Sequence, residues 1–162
     1  EYGFHEVAVK LMNQTEYPSW LYPITQGATT IWERWNGYTQ KEGFGKNNAM
    51  NSFNHYSLGS VLSWCYEWIL GIQRDEENPG FKHFFLKPSF YGFDWASGKV
   101  VTSYGEIESS WKKYKDKIIY TCKIPVNTSA HLQIGTKIYE LGSGAYSFEE
   151  NLKFGKESDF MR

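Results

Sequence analysis

Glu33 stands in the stretch GATTIWERW, residues 27–35, beside Trp32, Arg34 and Trp35. A carboxylate with indoles on one side loses water there, which raises its pKa, while a neighbouring cation such as Arg34 lowers it. Opposed influences of this kind are how an enzyme poises a general base. The same residue types also describe a solvated glutamate paired with Arg34 or a lysine, and spacing alone leaves both readings open. His55, in the stretch MNSFNHY, is the second candidate. In the first turn of a helix, where the dipole disfavours imidazolium, a neutral ring could donate one hydrogen bond and accept another. That suits a sugar hydroxyl; the plainer alternative is a histidine satisfied within the core or by backbone. Aromatic residues make up 19% of the chain, with seven Trp and twelve Tyr. Their faces can stack on the C–H faces of sugar rings, although core packing accounts for most of them.

Several chemistries find no support. The four histidines, His5, His55, His83 and His131, show no paired spacing with Cys or carboxylates, so no metal site is expected. GFGKNN lacks the framing of a phosphate-binding loop, and no G-x-S-x-G nucleophile elbow occurs. No cofactor is expected. Seventeen basic against eighteen acidic residues, a net charge of −1, set up no field that would gather nucleic acid or an anionic membrane. No window of about 18 apolar residues exists to span a bilayer. Cys65 and Cys122 read as buried free thiols. Sequons at Asn13 and Asn127 are weak matches of the kind that arise by chance. The opening EYGFHEVAVKLMNQ has neither Met nor the pattern of a secretory leader and reads as part of a helix, as in a piece of a longer protein.

The elements that must position Glu33 and His55 are helical. HEVAVKLMNQ predicts a helix with Val7, Leu11 and Phe4 on one face, broken near Pro18. A second helix is expected over about 26–36, ending before Gly37. Ala28, Ile31, Trp32 and Trp35 would form its buried stripe, with Glu33, Thr29, Asn36 and Gly37 turned away from it. After a Gly- and Asn-rich loop, a long amphipathic helix is expected over about 53–71, carrying Leu58, Val61, Leu62, Cys65, Ile69 and Ile72 as one stripe. Asn51 or Ser52 can cap its start and Gly71 its end. The pattern changes at RDEENPGFK, residues 74–82. Beyond it, FKHFFLKP, a hairpin turning near Asp116, and the pair AHLQIG with KIYELGSGAYSFEE point to an antiparallel β-sandwich. The expected domains are 1–75 helical, 76–152 β-sandwich and 153–162 a tail.

Taken together, YPSWLYPITQGATTIWERWNGY, MNSFNHYSLGSVLSWCYEWILGI, NPGFKHFFLKP and SYGEIESSW resemble the carboxyl-terminal part of bacterial α-L-rhamnosidases, glycoside hydrolase family 78. The resemblance runs from about Val7 to about Glu149, and its most specific blocks are GATTIWERW and MNSFNHY. It implies an α+β chain: the last helices of an (α/α)₆ barrel followed by an antiparallel β-sandwich. It also implies hydrolysis of terminal α-L-rhamnosyl linkages with inversion. Glu33 then matches the general base, His55 a sugar-binding histidine, and Trp32 and Trp20 pocket-lining aromatics. PSWLYPI departs from the family, which more often has Gly after the Trp; Leu21 could reshape the pocket. The implied partners are an L-rhamnose-containing oligosaccharide or glycoside and the N-terminal part of the parent enzyme, and the implied setting is soluble, in bacterial cytoplasm or periplasm.

An inverting glycosidase needs two carboxyl groups about 6.5–9.5 Å apart, one to protonate the leaving oxygen and one to direct water. The resemblance supplies only the second and places the acid upstream of residue 1, so the isolated chain is expected to be inactive. Helices cut from a barrel expose apolar faces, so self-association or cover by the sandwich is also expected. The competing readings are a non-catalytic sugar-binding module and, for residues 80–150, a structural domain that braces the barrel.

Overall fold

The computed structural model describes residues 3–45 and 50–151, so the tail expected over 153–162 lies outside the described residues. The chain divides into two compact units, Glu1–Leu62 and Ser63–Arg162.

In the first unit α1 spans His5–Asn13. Val9 is its buried residue, whereas Phe4 and Val7, two of the three expected on the packed face, are 71% and 63% exposed. α2 is a single turn, Tyr22–Thr25. The Ser19 hydroxyl caps it by accepting the Tyr22 N–H at 3.1 Å, and Pro23 sits in its first turn, where a missing N–H costs nothing. Gly27 ends it with φ +94°: the Gly27 N–H reaches the Ile24 carbonyl at 3.0 Å and the Ala28 N–H the Pro23 carbonyl at 2.9 Å. This is a Schellman stop, which needs a left-handed residue and takes glycine. The helix expected over 26–36 is therefore absent. α2 ends where that helix was expected to begin, and residues 28–36 form bends, a turn and irregular backbone.

The long helix is also shorter and less regular than expected. Residues 53–57 are non-helical; a 3₁₀ turn covers Leu58–Ser60, α3 Val61–Trp64, and a π-helical segment Cys65–Ile69. The Leu70 N–H bonds the Cys65 carbonyl at 3.0 Å, the i to i+5 link of that wider segment. The changes of pitch break the expected stripe: Leu62 is 58% exposed and Ile72 belongs to a strand. Gly71 does end the helical stretch, with φ +73°.

The second unit is a sandwich of two four-stranded sheets. The strands are β1 (Ile72–Arg74), β2 (His83–Leu86), β3 (Trp95–Thr102), β4 (Gly105–Lys113), β5 (Lys117–Ile124), β6 (Ser129–Ile134), β7 (Lys137–Leu141) and β8 (Gly144–Asn151). One sheet runs β1-β2-β6-β7, the other β3-β4-β5-β8. Pairing among these strands is antiparallel except for β2 with β6, which is parallel. The expected pairing of AHLQIG with KIYELGSGAYSFEE holds for β6 with β7, but the second run is two strands, and β8 crosses to the other sheet and pairs β5. Alternation holds: Ala130, Leu132 and Ile134 are buried while His131 and Gln133 are only half-covered. Phe84, Leu86, Ile107, Ile118 and Leu132, each no more than 1% exposed, form the centre. Burying each contributes about 1.5–3 kcal/mol. Trp111 Nε1 and Ser109 Oγ tie this core to the end of the helical segment through the carbonyls of Ile69 (2.9 Å) and Leu70 (2.7 Å). Cys122 is buried and its thiol is pushed up to about 12 by desolvation; Cys65 is free but half-buried, short of the full burial expected.

Candidate active site

Two segments of the first unit, 30–37 and 51–55, are laced together, and the lacing places Glu33 and His55. The Glu33 N–H donates to the Ser52 carbonyl at 2.9 Å, and the Ser52 N–H donates to Glu33 Oε2 at 2.8 Å. The His55 N–H donates to the Ile31 carbonyl at 2.8 Å, and the Thr30 hydroxyl to the Phe53 carbonyl. Asn51 Nδ2 donates to the Gly37 carbonyl at 2.7 Å. Glu33 therefore does not project from a helix away from the core. It is half-buried in a bend of the backbone, with one carboxylate oxygen engaged by a main-chain amide. Among the described residues its other oxygen, Oε1, accepts no hydrogen bond. Such an oxygen can take a proton from water.

His55 lies in the loop before the 3₁₀ turn, not in a helical first turn. Its Nδ1 accepts the Ser57 N–H at 3.2 Å. A neutral ring that accepts at Nδ1 carries its proton on Nε2, so Nε2–H is left as a donor. The local backbone, rather than a helix dipole, sets this tautomer. The ring stacks on Tyr56, centroids 5.2 Å apart and 10° from parallel.

The tryptophans occupy a second feature, a cavity of about 290 Å³ lined by Trp20, Trp32, Trp35, Ile24, Ile31 and Leu58 among others. Trp20 donates its Nε1 to the Leu58 carbonyl at 2.9 Å and meets Trp35 edge to face at 5.5 Å. Trp32 is buried, edge-on to Phe53 at 5.0 Å. Trp20 and Trp32 thus share one cavity, which Glu33, His55 and Leu21 do not line. Among the described residues no group of three or more His, Cys, Asp or Glu could hold a metal ion, and no helix is long and apolar enough to cross a membrane.

Sequence reasoning missed Gly37, Asn51 and Ser52 as members of this arrangement. They read as a helix end and helix caps, whereas they are the partners of the Glu33 segment. The available signal was the run of Thr29, Thr30 and Ile31, β-branched residues that disfavour helix.

Residues 1–69 match the family model described as the bacterial alpha-L-rhamnosidase 6 hairpin glycosidase domain, and residues 71–147 match the bacterial alpha-L-rhamnosidase C-terminal domain. An α-L-rhamnosidase of Alteromonas sp. (strain LOR) is 41% identical over 133 residues, 80% of this chain and 14% of that protein. The crystal structure of Streptomyces avermitilis α-L-rhamnosidase complexed with L-rhamnose is similar at TM-score 0.79 and 31% identity. That likeness covers 89% of this chain and 16% of the other. Native α-L-rhamnosidase from Aspergillus terreus is similar at TM-score 0.78 and 33% identity, over 87% and 17%. The chain spans about one-seventh of the length of the curated relatives it matches. With the two models together accounting for nearly all of its residues, the chain belongs to the bacterial α-L-rhamnosidase family.

Proposed function

We propose that this chain is the portion of an inverting α-L-rhamnosidase that supplies the general base, Glu33. The observation that carries the reading is the unequal treatment of its two carboxylate oxygens: Oε2 is held by the Ser52 amide while Oε1 has no donor among the described residues. In the reaction a water oxygen bonds to the anomeric carbon of a terminal rhamnosyl unit as the glycosidic C–O bond breaks. Glu33 Oε1 takes the water proton, and the departing oxygen takes a proton from an acid. That acid is assigned to another part of the enzyme, as the resemblance to the family implies. His55 Nε2–H is the donor for a sugar hydroxyl, and Trp20 and Trp32 shape the neighbouring apolar wall.

Two features support membership in a larger catalytic body. The relatives are several times longer than this chain. In the first unit Phe4, Val7, Ile24, Tyr56 and Leu62 are more than half exposed, an amount of apolar surface that normally meets a partner. The rhamnosyl substrate class is suggested by the L-rhamnose complex of the Streptomyces avermitilis protein.

The test is hydrolysis of a chromogenic α-L-rhamnoside by the whole enzyme carrying these residues, wild type against Glu33→Gln. General-base loss is expected to lower kcat about 10²–10⁴-fold while binding is kept. Turnover near wild type would remove Glu33 from the mechanism and leave a sugar-binding module as the better account.

A further inference from the structure

The Ser52 N–H that holds Glu33 belongs to the peptide plane joining Asn51 to Ser52. Because that plane is rigid, its direction follows the placement of Asn51. Asn51 is fixed by its own side chain, whose Nδ2 donates to the Gly37 carbonyl at 2.7 Å. Gly37 closes the turn that begins just after Glu33, its N–H bonding the Arg34 carbonyl at 3.0 Å. Two adjacent residues therefore grip both ends of one short turn: Ser52 holds Glu33 and Asn51 holds Gly37.

The fit is close. A Cβ added at Gly37 would lie 2.5 Å from Asn51 Oδ1, so it enters only if the Asn51 side chain shifts; the constraint comes from space and not from a left-handed backbone. Asn51 Oδ1 is itself buried without a hydrogen-bond partner among the described residues, an arrangement that costs stability and calls for a reason. We propose that Asn51 is a positioning residue for Glu33: its amide, anchored on Gly37, aims the Ser52 N–H at Oε2 and so leaves Oε1 as the proton-accepting atom. This rests on the general-base reading above. It adds that reading's geometric requirement, a base held within about 1 Å of its working place.

Asn51→Asp keeps the size of the side chain and loses the donor, placing a carboxylate oxygen against the Gly37 carbonyl. In the whole enzyme kcat should fall about 10–100-fold, with KM for the chromogenic rhamnoside unchanged. A space-filling role would be met by Asp and would spare kcat. Gly37→Ala leaves the amide in place but displaces it, and should show the same kcat signature. In Asn51→Ala that added methyl meets no Oδ1, so Gly37→Ala should cost little more there. The decisive background is Glu33→Ala with azide in place of water: azide bonds to the anomeric carbon as the glycosidic bond breaks, and no base is needed. Azide-supported turnover should be indifferent to Asn51→Asp.

The outcomes separate cleanly. If Glu33→Gln keeps its activity, the general-base reading fails and this proposal with it. If Glu33→Gln is inactive but neither Asn51→Asp nor Gly37→Ala lowers kcat, the positioning role alone is overturned. It is also overturned if Asn51→Asp lowers azide-supported turnover as much as ordinary turnover. Should Asn51→Asp fail to fold, Gly37→Ala decides by the same two readouts.

Discussion

Ser109 is the smallest fully buried side chain of β4, yet it bridges two polar groups of the sandwich core. Its hydroxyl donates to the Leu70 carbonyl at 2.7 Å and lies 3.1 Å from the Tyr120 hydroxyl. With its one proton spent on Leu70, Ser109 must accept from Tyr120. Burial pushes the Tyr120 phenol well above its ordinary range, which keeps it a protonated donor. Ser109→Ala removes one oxygen and opens almost no cavity, so its effect isolates hydrogen bonding. It leaves the Leu70 carbonyl unsatisfied and strips the Tyr120 hydroxyl of its oxygen partner. At about 1–3 kcal/mol for each of the two stranded groups, a loss of about 2–6 kcal/mol is expected. Tyr120→Phe removes the donor but leaves the bond to Leu70 intact, so it should cost only about 0.5–1.5 kcal/mol. In the double variant a single group, the Leu70 carbonyl, is stranded, and the combined loss should fall below the sum. Urea unfolding of residues 1–162 followed by tryptophan fluorescence would measure these losses. Amide exchange in β4 and β5 would assign them to the sandwich. A Ser109→Ala loss under about 0.5 kcal/mol, or strict additivity, would refute the bridging argument.

Two other perturbations probe the sandwich. Gly71 has φ +73°, and a Cβ there would run into the peptide joining Lys87 to Pro88, whereas Gly80 has φ +85° with open space around it. Gly71→Ala should therefore cost more than about 3 kcal/mol, from backbone strain plus overpacking, and Gly80→Ala about 1–2 kcal/mol from strain alone. Equal losses in urea unfolding would show that the close approach is not rigid. The Asp75 carboxyl is held below its usual range, first by the Asn78 amide at 2.8 Å and, against the opposing effect of burial, by His83 and the Glu77 N–H. A depressed folded pKa means that the unfolded chain binds more protons in that window. The stabilisation is thus present above the unfolded value of about 3.9 and lost as pH falls below it. The unfolding midpoints of wild type and Asp75→Asn should differ at pH 7 and draw together as pH falls through the depressed folded pKa of Asp75; a constant gap would assign the effect to shape instead of charge.

The sandwich was largely legible because a half-buried strand writes its environment into alternate residues. Ala130, Leu132 and Ile134 alternate against His131 and Gln133 in sequence and in burial alike. What alternation does not encode is which strands pair. KIYELGSGAYSFEE reads as one partner of AHLQIG, yet only β7 pairs β6, β8 joins β5 in the opposite sheet, and β2 runs parallel to β6. Both depend on contacts distant in sequence. The helical half was harder for a different reason. Apolar residues at helical spacing in 26–36 are outweighed by Gly27, whose left-handed stop releases the following backbone. The π segment then resets the phase of a stripe that is otherwise well marked.

At the candidate site the residue types were visible and their placement was not. Two of the five links between 30–37 and 51–55 are wholly main-chain: Glu33 with Ser52, and His55 with Ile31. Main-chain bonds put little constraint on side-chain identity, so no periodicity or composition records them. Only where a side chain reaches backbone does the sequence carry a mark, and here the marks are Thr30, Glu33 and Asn51, the last set against Gly37, where a Cβ would press on its Oδ1. Read as a cap and a helix end, the two residues are unremarkable and unrelated. Read as a pair they specify how two distant segments join, and that junction decides which oxygen of Glu33 is free. The resemblance to rhamnosidases singles out the blocks that contain this pair, but it gives no reason for either residue. The reason lies in the geometry: the turn after Glu33 has two ends, and a carboxylate held at only one of them would swing.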